Sequence, residues 1–340
     1  MTSTGHAAQP SPQLFFDTMN AHQRTEALKA AIELDVFTSV GEGNQTAAAL
    51  AQRCKAAERG MRILCDYLVI IGFLLKQGSE YRLTPDSAAF LDRRSPMCIT
   101  SAVIFLGDTQ LTDKFKNLAG AVRKGGTLDG DGSLEPEHPM WIEFAKGMAP
   151  LTALPAELMA RLVGAEKGEK WKVLDIAVSH GMFGITFAKK NPHAEIYAVD
   201  WKNVLELAKE NARKAGIDGR YHTLPGSAFE VEFGTGYDIV LLTNILHHFD
   251  AATCETLLRK VHTALKPGGR AMTLEFVPNA DRVSPPQAAG FSLTMLAATP
   301  AGDAYTFAEL ERMCRNAGFA SSELHAIPPS IHHVVISTKA

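Results

Sequence analysis

Two adjacent histidines, His247 and His248, follow a run rich in Ile, Val and Leu in the segment LLTNILHHFD. The run predicts a buried parallel strand, and doubly wound sheets bind substrates at the carboxyl ends of such strands. That position favours a catalytic over a purely structural role for the pair. Glu275 stands near the end of the next apolar run, MTLEF, where a carboxylate is costly to bury unless it is paired. A histidine at a neighbouring strand end is a natural partner, and the alternative is a solvated Glu275.

A second candidate site lies in the segment VLDIAVSHGMFGI. It predicts a strand that ends at Asp175, a tight turn, and a helix that opens near Gly181. The next predicted strand ends 25 residues later at Asp200, where an acidic side chain can accept both ribose hydroxyls of a nucleotide or nucleoside. Trp201 could cover a face of an adenine ring, and the alternative role for Asp200 is a helix N-cap. The incomplete GxGxxG motif disfavours binding of a dinucleotide, because a pyrophosphate needs close approach of the loop backbone. A nucleoside without phosphates does not need this approach.

The elements that would position these residues alternate between short β-branched runs and amphipathic stretches from about residue 165 onward. This alternation is the βαβ signature of a parallel sheet, so the predicted fold class is α/β with a doubly wound sheet. The predicted strands cover 172–176, 195–199, 220–224, 237–243, 271–277 and 334–337. The predicted helices cover 182–190, 204–215, 251–264 and 307–317.

Helical periodicity dominates the chain before residue 165. The spacing predicts helices over 15–34, 46–54 and 58–72, followed by a hairpin over 73–83. Helices followed by a two-stranded wing are a winged-helix pattern. The segment 121–138 is rich in Gly, Asp and Pro and is predicted to be a loop between domains, after which helical spacing resumes at Trp141.

Winged helices often bind DNA, but the charge of this one does not favour it. Residues 1–100 hold ten Lys and Arg against ten Asp and Glu, and phosphate binding depends on clustered positive charge. We expect instead that its apolar helices, with Phe15, Phe16 and the region of Phe105, form the interface of a homodimer.

The composition excludes several classes of protein. The 340 residues are 46% hydrophobic and 21% charged, as in ordinary globular proteins. The longest apolar stretch, 67–75, is too short to span a membrane, and the net charge of −3 lacks the basic excess of a nucleic-acid binder. Five cysteines without a CxxC pair fit a reducing cytoplasm rather than a disulfide framework or a zinc site. The N-terminus lacks the regions of a signal peptide, so we expect a cytoplasmic protein.

Several motifs are specific enough to suggest a family. They are the wing YRLT (81–84), LHHF (246–249), KPGGR (266–270), MLA…P (295–300) and the C-terminal YTFAELERMCRNAGF. Over essentially its whole length the chain resembles the S-adenosylmethionine (SAM)-dependent O-methyltransferases of the plant caffeic-acid and bacterial hydroxyneurosporene type. The resemblance implies a winged-helix dimerisation domain over 1–110, a helical linker that contributes to the acceptor pocket over 111–165, and a class I methyltransferase domain over 166–340.

The resemblance also implies roles for individual residues. His247 would be the general base, and Glu275 would be the carboxylate that orients it. The acceptor pocket would be lined by Phe144, Met148, His248, Phe291 and Met295. The cofactor would be bound by Asp175, Ala177, Ser179, Gly181, Asp200, Trp201, Ser227, Ala228, Phe229 and Thr243. No metal is implied, because the methyl group of SAM is already activated on a sulfonium, and the product is S-adenosylhomocysteine (SAH).

The sequence departs from the family's pattern at several positions. Ala177 and Ser179 replace two glycines of the motif Asp-x-Gly-x-Gly-x-Gly, and a positive φ is costly for both. The segment 226–229 stands where many members place an acidic residue near the adenine amine. Ala304 takes the place of a second carboxylate beside the histidine, and His248 replaces an aspartate.

We therefore expect a SAM-dependent O-methyltransferase that acts on a hydroxyl of a small, flat and mostly apolar metabolite, with no nucleic-acid or membrane partner. The alternatives are methyl transfer to carbon or nitrogen, a family member that retains the cofactor without methyl transfer, and a winged-helix regulator. A metal site built from His247, His248, His332 and His333 is disfavoured, because successive strand residues point to opposite faces. The choice between His247 and His248 as the base is open at this point.

Overall fold

The computed structural model describes residues 10–130 and 140–340, and the chain divides into two compact units. One unit extends to Val103, and the other begins at Ile104. The predicted division into 1–110, 111–165 and 166–340 assigns parts by role and stays a prediction. Within the described ranges, no helix is both long and apolar enough to cross a membrane.

The N-terminal unit is built of short helices and a hairpin. The helices are α1 (Gln13–Met19), α2 (Ala21–Glu33), α3 (Val36–Gly41), α4 (Ala47–Arg53), α5 (Glu58–Ile70) and α6 (Pro85–Phe90), and the antiparallel strands are β1 (Leu74–Gln77) and β2 (Glu80–Leu83). Helix α5 buries Met61, Cys65 and Leu68, whose spacing places them on one face. The predicted order of helices and wing is confirmed. The helix predicted over 15–34 is divided at Asn20, a residue type that favours helix ends over helix interiors.

The C-terminal unit contains a seven-stranded sheet. Its strands are β3 (Lys172–Ile176), β4 (Glu195–Asp200), β5 (Tyr221–Pro225), β6 (Tyr237–Thr243), β7 (Leu265–Glu275), β8 (Ser321–Ala326) and β9 (His333–Thr338). They lie in the order β5-β4-β3-β6-β7-β9-β8, with β3 to β7 parallel and β9 antiparallel to both of its neighbours. The chain reverses its direction of progress across the sheet between β3 and β6. Doubly wound sheets bind ligands at such a point, beyond the carboxyl ends of the strands.

The remaining helices are α7 (Ala102–Leu106), α8 (Thr109–Thr112), α9 (Leu118–Lys124), α10 (Met140–Leu162), α11 (Met182–Lys190), α12 (Lys202–Lys214), α13 (Ala251–Ala264), α14 (Pro286–Ala298) and α15 (Phe307–Asn316).

Strand β6 shows how the sheet is covered on both faces. Ile239 and Leu241 join a core with α10, α11 and α12, whereas Val240 and Leu242 join a core with α13 and α15. The predicted α/β fold with a doubly wound sheet is confirmed.

Helices α3, α6, α7, α8 and α14 have no predicted counterpart, and three further differences concern the sheet and the segment between the domains. Strand β7 begins at Leu265 rather than near residue 271, because the KPGGR segment joins the ladder beside β6 through an irregular register. Strand β8 has no predicted counterpart, because this edge strand is exposed or half-exposed along its length and carries no apolar run. Helix α9 enters the segment 121–138 that was predicted to be a loop, and residues 131–139 of that segment lie outside the described residues.

Candidate active site

The two strand ends that the sequence singles out meet in a hydrogen-bonded pair. Strand β6 ends at Thr243, and a short 3-10 turn over Leu246–His248 follows. The Nδ1 atom of His247 lies 2.6 Å from Oε2 of Glu275, the last residue of β7. Both side chains are buried, with 5% and 3% of their residues' surfaces exposed. Because β6 and β7 are parallel neighbours, their carboxyl ends bring the two residues together.

The carboxylate of Glu275 also holds the backbone of the turn. Its Oε1 atom accepts hydrogen bonds from the N–H groups of Leu246 at 2.9 Å and His247 at 3.3 Å. A carboxylate is an acceptor, so Nδ1 of His247 carries the proton and Nε2 carries the lone pair. No described residue forms a hydrogen bond with Nε2. Glu275 thus fixes the position, the tautomer and the orientation of an imidazole that can accept a proton.

A continuous series of aromatic rings surrounds His247. On one side its ring lies 4.8 Å from Phe291, which stacks on Phe276 at 4.0 Å, and His332 lies 4.3 Å beyond Phe276. On the other side its ring lies 4.4 Å from His248, which meets Trp141 at 5.9 Å. Trp141 leads on to Phe144 at 5.8 Å and Phe105 at 4.8 Å. We call these eight side chains the aromatic wall.

The histidines of the aromatic wall next to His247 are neutral at physiological pH. Burial, and to a lesser degree the nearby His247, holds the pKa of His248 well below its usual range. Burial also lowers the pKa of His332 to about 4. The wall is therefore an uncharged, largely apolar surface beside a single oriented base. It suits a flat and uncharged ligand.

Three of the predicted acceptor-pocket residues lie in this wall, namely Phe144, His248 and Phe291. The other two continue the same helix faces. Met148 follows Phe144 by four residues on α10, and the buried Met295 follows Phe291 by four residues on α14. Ala304 is buried, and the adjacent carboxylate of Asp303 binds Nη1 of Arg282 at 3.1 Å.

The predicted cofactor loop is held by the two aspartates that the sequence indicated. Asp175 Oδ2 accepts a hydrogen bond of 2.9 Å from the N–H of Gly184 in α11. Asp200 accepts from the N–H of Ser179 at 2.8 Å and from that of Trp201 at 2.7 Å. The N-cap of α12 is Trp201, so the alternative in which Asp200 caps that helix is wrong. Asp200 instead joins the loop after β3 to the end of β4.

The backbone of the loop keeps a glycine-like conformation without glycines. Ala177, Ser179 and Gly181 have φ values of 57°, 53° and 77°, in the left-handed region that disfavours residues with a Cβ atom. The predicted cost of positive φ at Ala177 and Ser179 is therefore present. All three residues thus adopt a conformation that glycine accepts at the least steric cost.

Buried polar atoms at this edge of the sheet test whether SAM fits the residues present. Asp175 Oδ1, Ser179 Oγ and Asn244 Oδ1 are buried, and none of them has a hydrogen-bond partner within the part of the chain that the structure describes. Native proteins rarely leave such atoms unpaired without a functional reason. They lie at the carboxyl ends of β3 and β6, and they can accept hydrogen bonds from an ammonium group or from ribose hydroxyls. The residues present therefore fit a nucleoside that carries an amino acid group.

Burial raises the pKa of Asp200 to about 6 and, with a smaller contribution from Asp200, that of Asp175 to about 7. Perturbed carboxylates in a cleft are typical of functional sites.

The remaining predicted cofactor residues lie nearby in the chain. Thr243 is buried at the end of β6. Ser227 Oγ accepts a hydrogen bond from the N–H of Phe229. The ring centroids of Phe229 and Phe249 lie 5.0 Å apart, and Phe249 directly follows His248. Ala228 is partly buried against the core that β6 forms with α13 and α15.

Sequence reasoning missed Asn244, Trp141 and Phe276, and it considered Phe105 only for a dimer interface and His332 only for a disfavoured metal site. Asn244 could have been noticed because it follows an apolar strand directly and because Asn tolerates the left-handed conformation that it adopts, with φ of 54°. Trp141 and Phe276 carried no comparable signal, because their ring contacts join α10 to the 3-10 turn and the end of β7 to α14, and no local pattern predicts either contact. Among the described residues, no group of three or more His, Cys, Asp or Glu side chains could hold a metal ion.

Comparisons with known proteins agree with this geometry. A family model for an O-methyltransferase domain matches residues 143–320, and one for an O-methyltransferase dimerisation domain matches residues 16–93. The chain is 28% identical to a 3-hydroxy-5-methyl-1-naphthoate 3-O-methyltransferase of Streptomyces sahachiroi, over 97% of this chain and 96% of that protein.

Two solved structures share the whole architecture. A putative O-methyltransferase from Nostoc punctiforme is 56% identical, covers 98% of this chain and 100% of its own, and has a TM-score of 0.94. Human N-acetylserotonin methyltransferase in complex with SAM is 22% identical, covers 100% of both chains, and has a TM-score of 0.83. At that identity the likeness concerns the fold.

Proposed function

This chain belongs to the O-methyltransferase family, and on that premise we propose that it methylates a hydroxyl of a flat aromatic or polycyclic metabolite with His247 as general base. The chain is a SAM-dependent methyltransferase of small molecules, and SAH is its coproduct. When bound, SAM supplies a methyl group that is already activated on a sulfonium. The tasks left to the protein are to orient the acceptor, to remove its proton and to exclude water.

The hydrogen bond between His247 and Glu275 is the observation that supports a base. A phenol with a pKa near 10 is mostly neutral at pH 7, so it must lose its proton as the methyl group arrives. The lone pair of His247 Nε2 accepts that proton, and the carboxylate of Glu275 stabilises the imidazolium that results. A base placed in this way contributes a factor of about 10²–10⁴ to the rate.

The aromatic wall supports the proposed class of acceptor. Its rings present flat apolar faces on both sides of His247, and they bury a planar ligand without an unpaired charge. Ring faces are also compatible with a nearby sulfonium through cation–π attraction. A planar aromatic hydroxyl compound therefore matches the wall better than a flexible polar one.

On the cofactor side, the proposed roles follow the unpaired atoms. Asp200 would accept hydrogen bonds from the ribose hydroxyls, while Ser179 Oγ and Asn244 Oδ1 provide polar contacts for the amino acid end. Trp201, which follows Asp200 at the N-terminus of α12, would cover the adenine ring. The assignments of Ser179 and Asn244 rest on their unpaired buried atoms, and that of Asp200 rests on its position at the end of β4.

We propose that the active form is a homodimer through the N-terminal unit, whose residues 16–93 match a dimerisation domain. Helix α1 supports this, because none of its residues is buried. Leu14, Phe15, Phe16 and Met19 are 53–78% exposed. An exposed apolar patch of this kind marks an interaction surface.

The experiment that tests the function identifies the methylated atom. The protein is incubated with SAM labelled with ¹³C in the methyl group and with naphthalen-2-ol, and the product is analysed by NMR and mass spectrometry. We expect an aryl methyl ether together with SAH. A label on ring carbon would contradict O-methylation. Tight binding of SAM without transfer to any of a panel of phenols and naphthols would contradict a methylating function.

A further inference from the structure

Two unsatisfied polar atoms lie side by side in the aromatic wall. The indole Nε1 of Trp141 and the imidazole Nδ1 of His248 are both buried, and neither has a hydrogen-bond partner among the described residues. Their rings meet edge to face, with centroids 5.9 Å apart and planes at 88°. By contrast, Trp171, which directly precedes β3, does have a partner, since its Nε1 donates to Glu169 at 3.2 Å.

The pair lies next to the reacting centre. The His248 ring is 4.4 Å from the ring of the base His247, and Trp141 continues the wall towards Phe144. An acceptor whose hydroxyl reaches His247 therefore has this pair within about one ring spacing. Buried donors and acceptors are nearly always satisfied in native proteins, so a ligand group is the natural partner for two that are not.

The chemistry of the two atoms defines that group. The indole N–H is a donor only, so its partner must be an acceptor such as oxygen. His248 is neutral because burial holds its pKa well below the usual range. Either of its tautomers is therefore open, and Nδ1 can accept from a hydroxyl or donate to a carbonyl. Both atoms together are satisfied by one oxygen that lies close to the hydroxyl undergoing methylation.

We propose that Trp141 and His248 determine acceptor specificity by binding a second oxygen on the ring position next to the methylated hydroxyl. This inference rests on the proposed function. For the oxygen to enter, the two rings must separate, which breaks an edge-to-face contact but no hydrogen bond. An edge-to-face contact is worth less than the burial of two unsatisfied polar groups costs, so entry of the oxygen is favourable.

The test compares three probes that share one ring system. Naphthalen-2-ol has no second oxygen, naphthalene-2,3-diol adds a hydroxyl, and 3-hydroxy-2-naphthaldehyde adds a carbonyl. Their affinities for the protein saturated with SAH are measured by calorimetry, so that acceptor acidity does not enter through the transfer rate. We expect both dioxygenated probes to bind about tenfold more tightly than naphthalen-2-ol, as one added hydrogen-bonded site predicts.

Two variants separate hydrogen bonding from ring packing. Trp141→Phe keeps an aromatic ring but removes the N–H, so it should reduce the tenfold preference to about twofold. Because the preference is a ratio within one variant, a change in packing that affects all three probes alike cancels. Phe291→Leu is the matched control, because it removes apolar surface and should weaken all three probes equally. If Trp141→Phe does not fold, ¹⁵N spectra of the wild-type indole groups replace it. One indole N–H resonance should then shift with the dioxygenated probes and not with naphthalen-2-ol.

The outcomes distinguish failure of this inference from failure of the proposed function. Equal affinity for all three probes, or an unchanged preference in Trp141→Phe, overturns the role of this pair and leaves the proposed function standing. Failure of every probe to bind the SAH-saturated protein overturns the aromatic acceptor itself, and this inference with it.

Discussion

One carboxylate organises the proposed chemistry of this protein. Glu275 binds the ring of His247 through one oxygen and two backbone N–H groups of the histidine turn through the other. It acts through His247, which makes it a positioning residue. Because the same group sets the ring and the turn, removal of the whole carboxylate would disturb both. Substitutions that keep its shape are therefore the informative ones.

The first prediction concerns the base. His247→Ala should lower the methyl-transfer rate on naphthalen-2-ol by about 10²–10⁴, because the acceptor then loses its proton without help. Affinity for SAH should hardly change, since the loop after β3 and Asp200 lie apart from this ring. Single-turnover kinetics and calorimetry measure the two quantities.

His248→Ala is the control for His247→Ala, and its effect on the transfer rate should be smaller. A larger effect at His248 would identify that residue as the base. The loss at His247 should also shrink for acceptors with more acidic hydroxyls, which need less help to ionise. A loss that is independent of acceptor acidity would contradict general base catalysis.

A second prediction applies to Glu275→Gln. The amide keeps the shape and can still accept from the turn, but it removes the charge that stabilises the imidazolium. Substitutions of a residue that orients a functional side chain typically cost about 10–100-fold, so the rate should fall less than in His247→Ala. The loss should appear in kcat rather than in KM. A variant as slow as His247→Ala, with unchanged unfolding behaviour, would mean that the charge itself is indispensable.

The third prediction concerns pH. In the folded protein the pKa values of Asp200 and Asp175 are raised from 3.8 to about 6 and 7. Between about pH 4 and pH 7 these two carboxyl groups therefore bind more protons in the folded state than in the unfolded state. The contribution of Asp200 to the free energy of unfolding without cofactor should fall by roughly 2–3 kcal/mol as the pH rises through this window, measured as the difference between the wild type and Asp200→Asn.

Cofactor affinity should show the opposite trend, because an ionised Asp200 is the better acceptor for ribose hydroxyls. Calorimetry with SAH between pH 5 and pH 8 checks this, and Asp200→Asn is the matched variant. Asp200→Asn should weaken binding at pH 8 by about 1.5–3 kcal/mol and flatten its pH dependence. Affinity that is independent of pH in the wild type would remove Asp200 from the cofactor site.

Among the secondary structure elements, the loop from β3 to α11 holds Ala177 and Ser179 in the left-handed conformation, which disfavours residues with a Cβ atom. A left-handed conformation costs an L-residue about 1–2 kcal/mol, whereas glycine loses about 0.5–1 kcal/mol of conformational entropy. Ala177→Gly should therefore raise the free energy of unfolding by about 0.5–1 kcal/mol, as measured by urea denaturation.

Ala153→Gly is the matched control for Ala177→Gly, because Ala153 is exposed within α10 and has no such strain. It should lower the free energy of unfolding by about 1 kcal/mol. If both substitutions destabilise the protein equally, the loop does not hold Ala177 in the left-handed region.

The same elements show what sequence alone could reveal. The central strands are buried on both faces and so appear as apolar runs, which made the sheet and the meeting of His247 with Glu275 predictable. Strand β8 could not be predicted because an edge strand buries few apolar side chains. Trp141 was assigned to a helix but not to the site, because its contact with His248 depends on how α10 packs rather than on any local pattern.

For the whole molecule, the prediction is a dimer. Light scattering at micromolar concentration should give twice the 36.8 kDa of one chain. An obligate interface would bury more than about 2,000 Å². Phe15→Asp combined with Phe16→Asp places two charges on the exposed face of α1 and should shift the protein towards monomer. The matched control, Gln23→Asp, lies on exposed α2 and should not. A monomeric wild type would contradict this proposal.

The position of β9 in the sheet affects how the active site forms during synthesis. Strand β7, which ends in Glu275, pairs on one side with β6 and on the other with β9, where His333 stands opposite Glu275. In the chain, β9 follows only after α14, α15 and β8. A nascent chain or fragment that stops before β9 thus contains His247, Glu275 and Asp200 but leaves one side of β7 as an open, apolar edge. Such edges recruit other strands, so a truncated product would be prone to aggregate although it contains the proposed base, its carboxylate partner and Asp200.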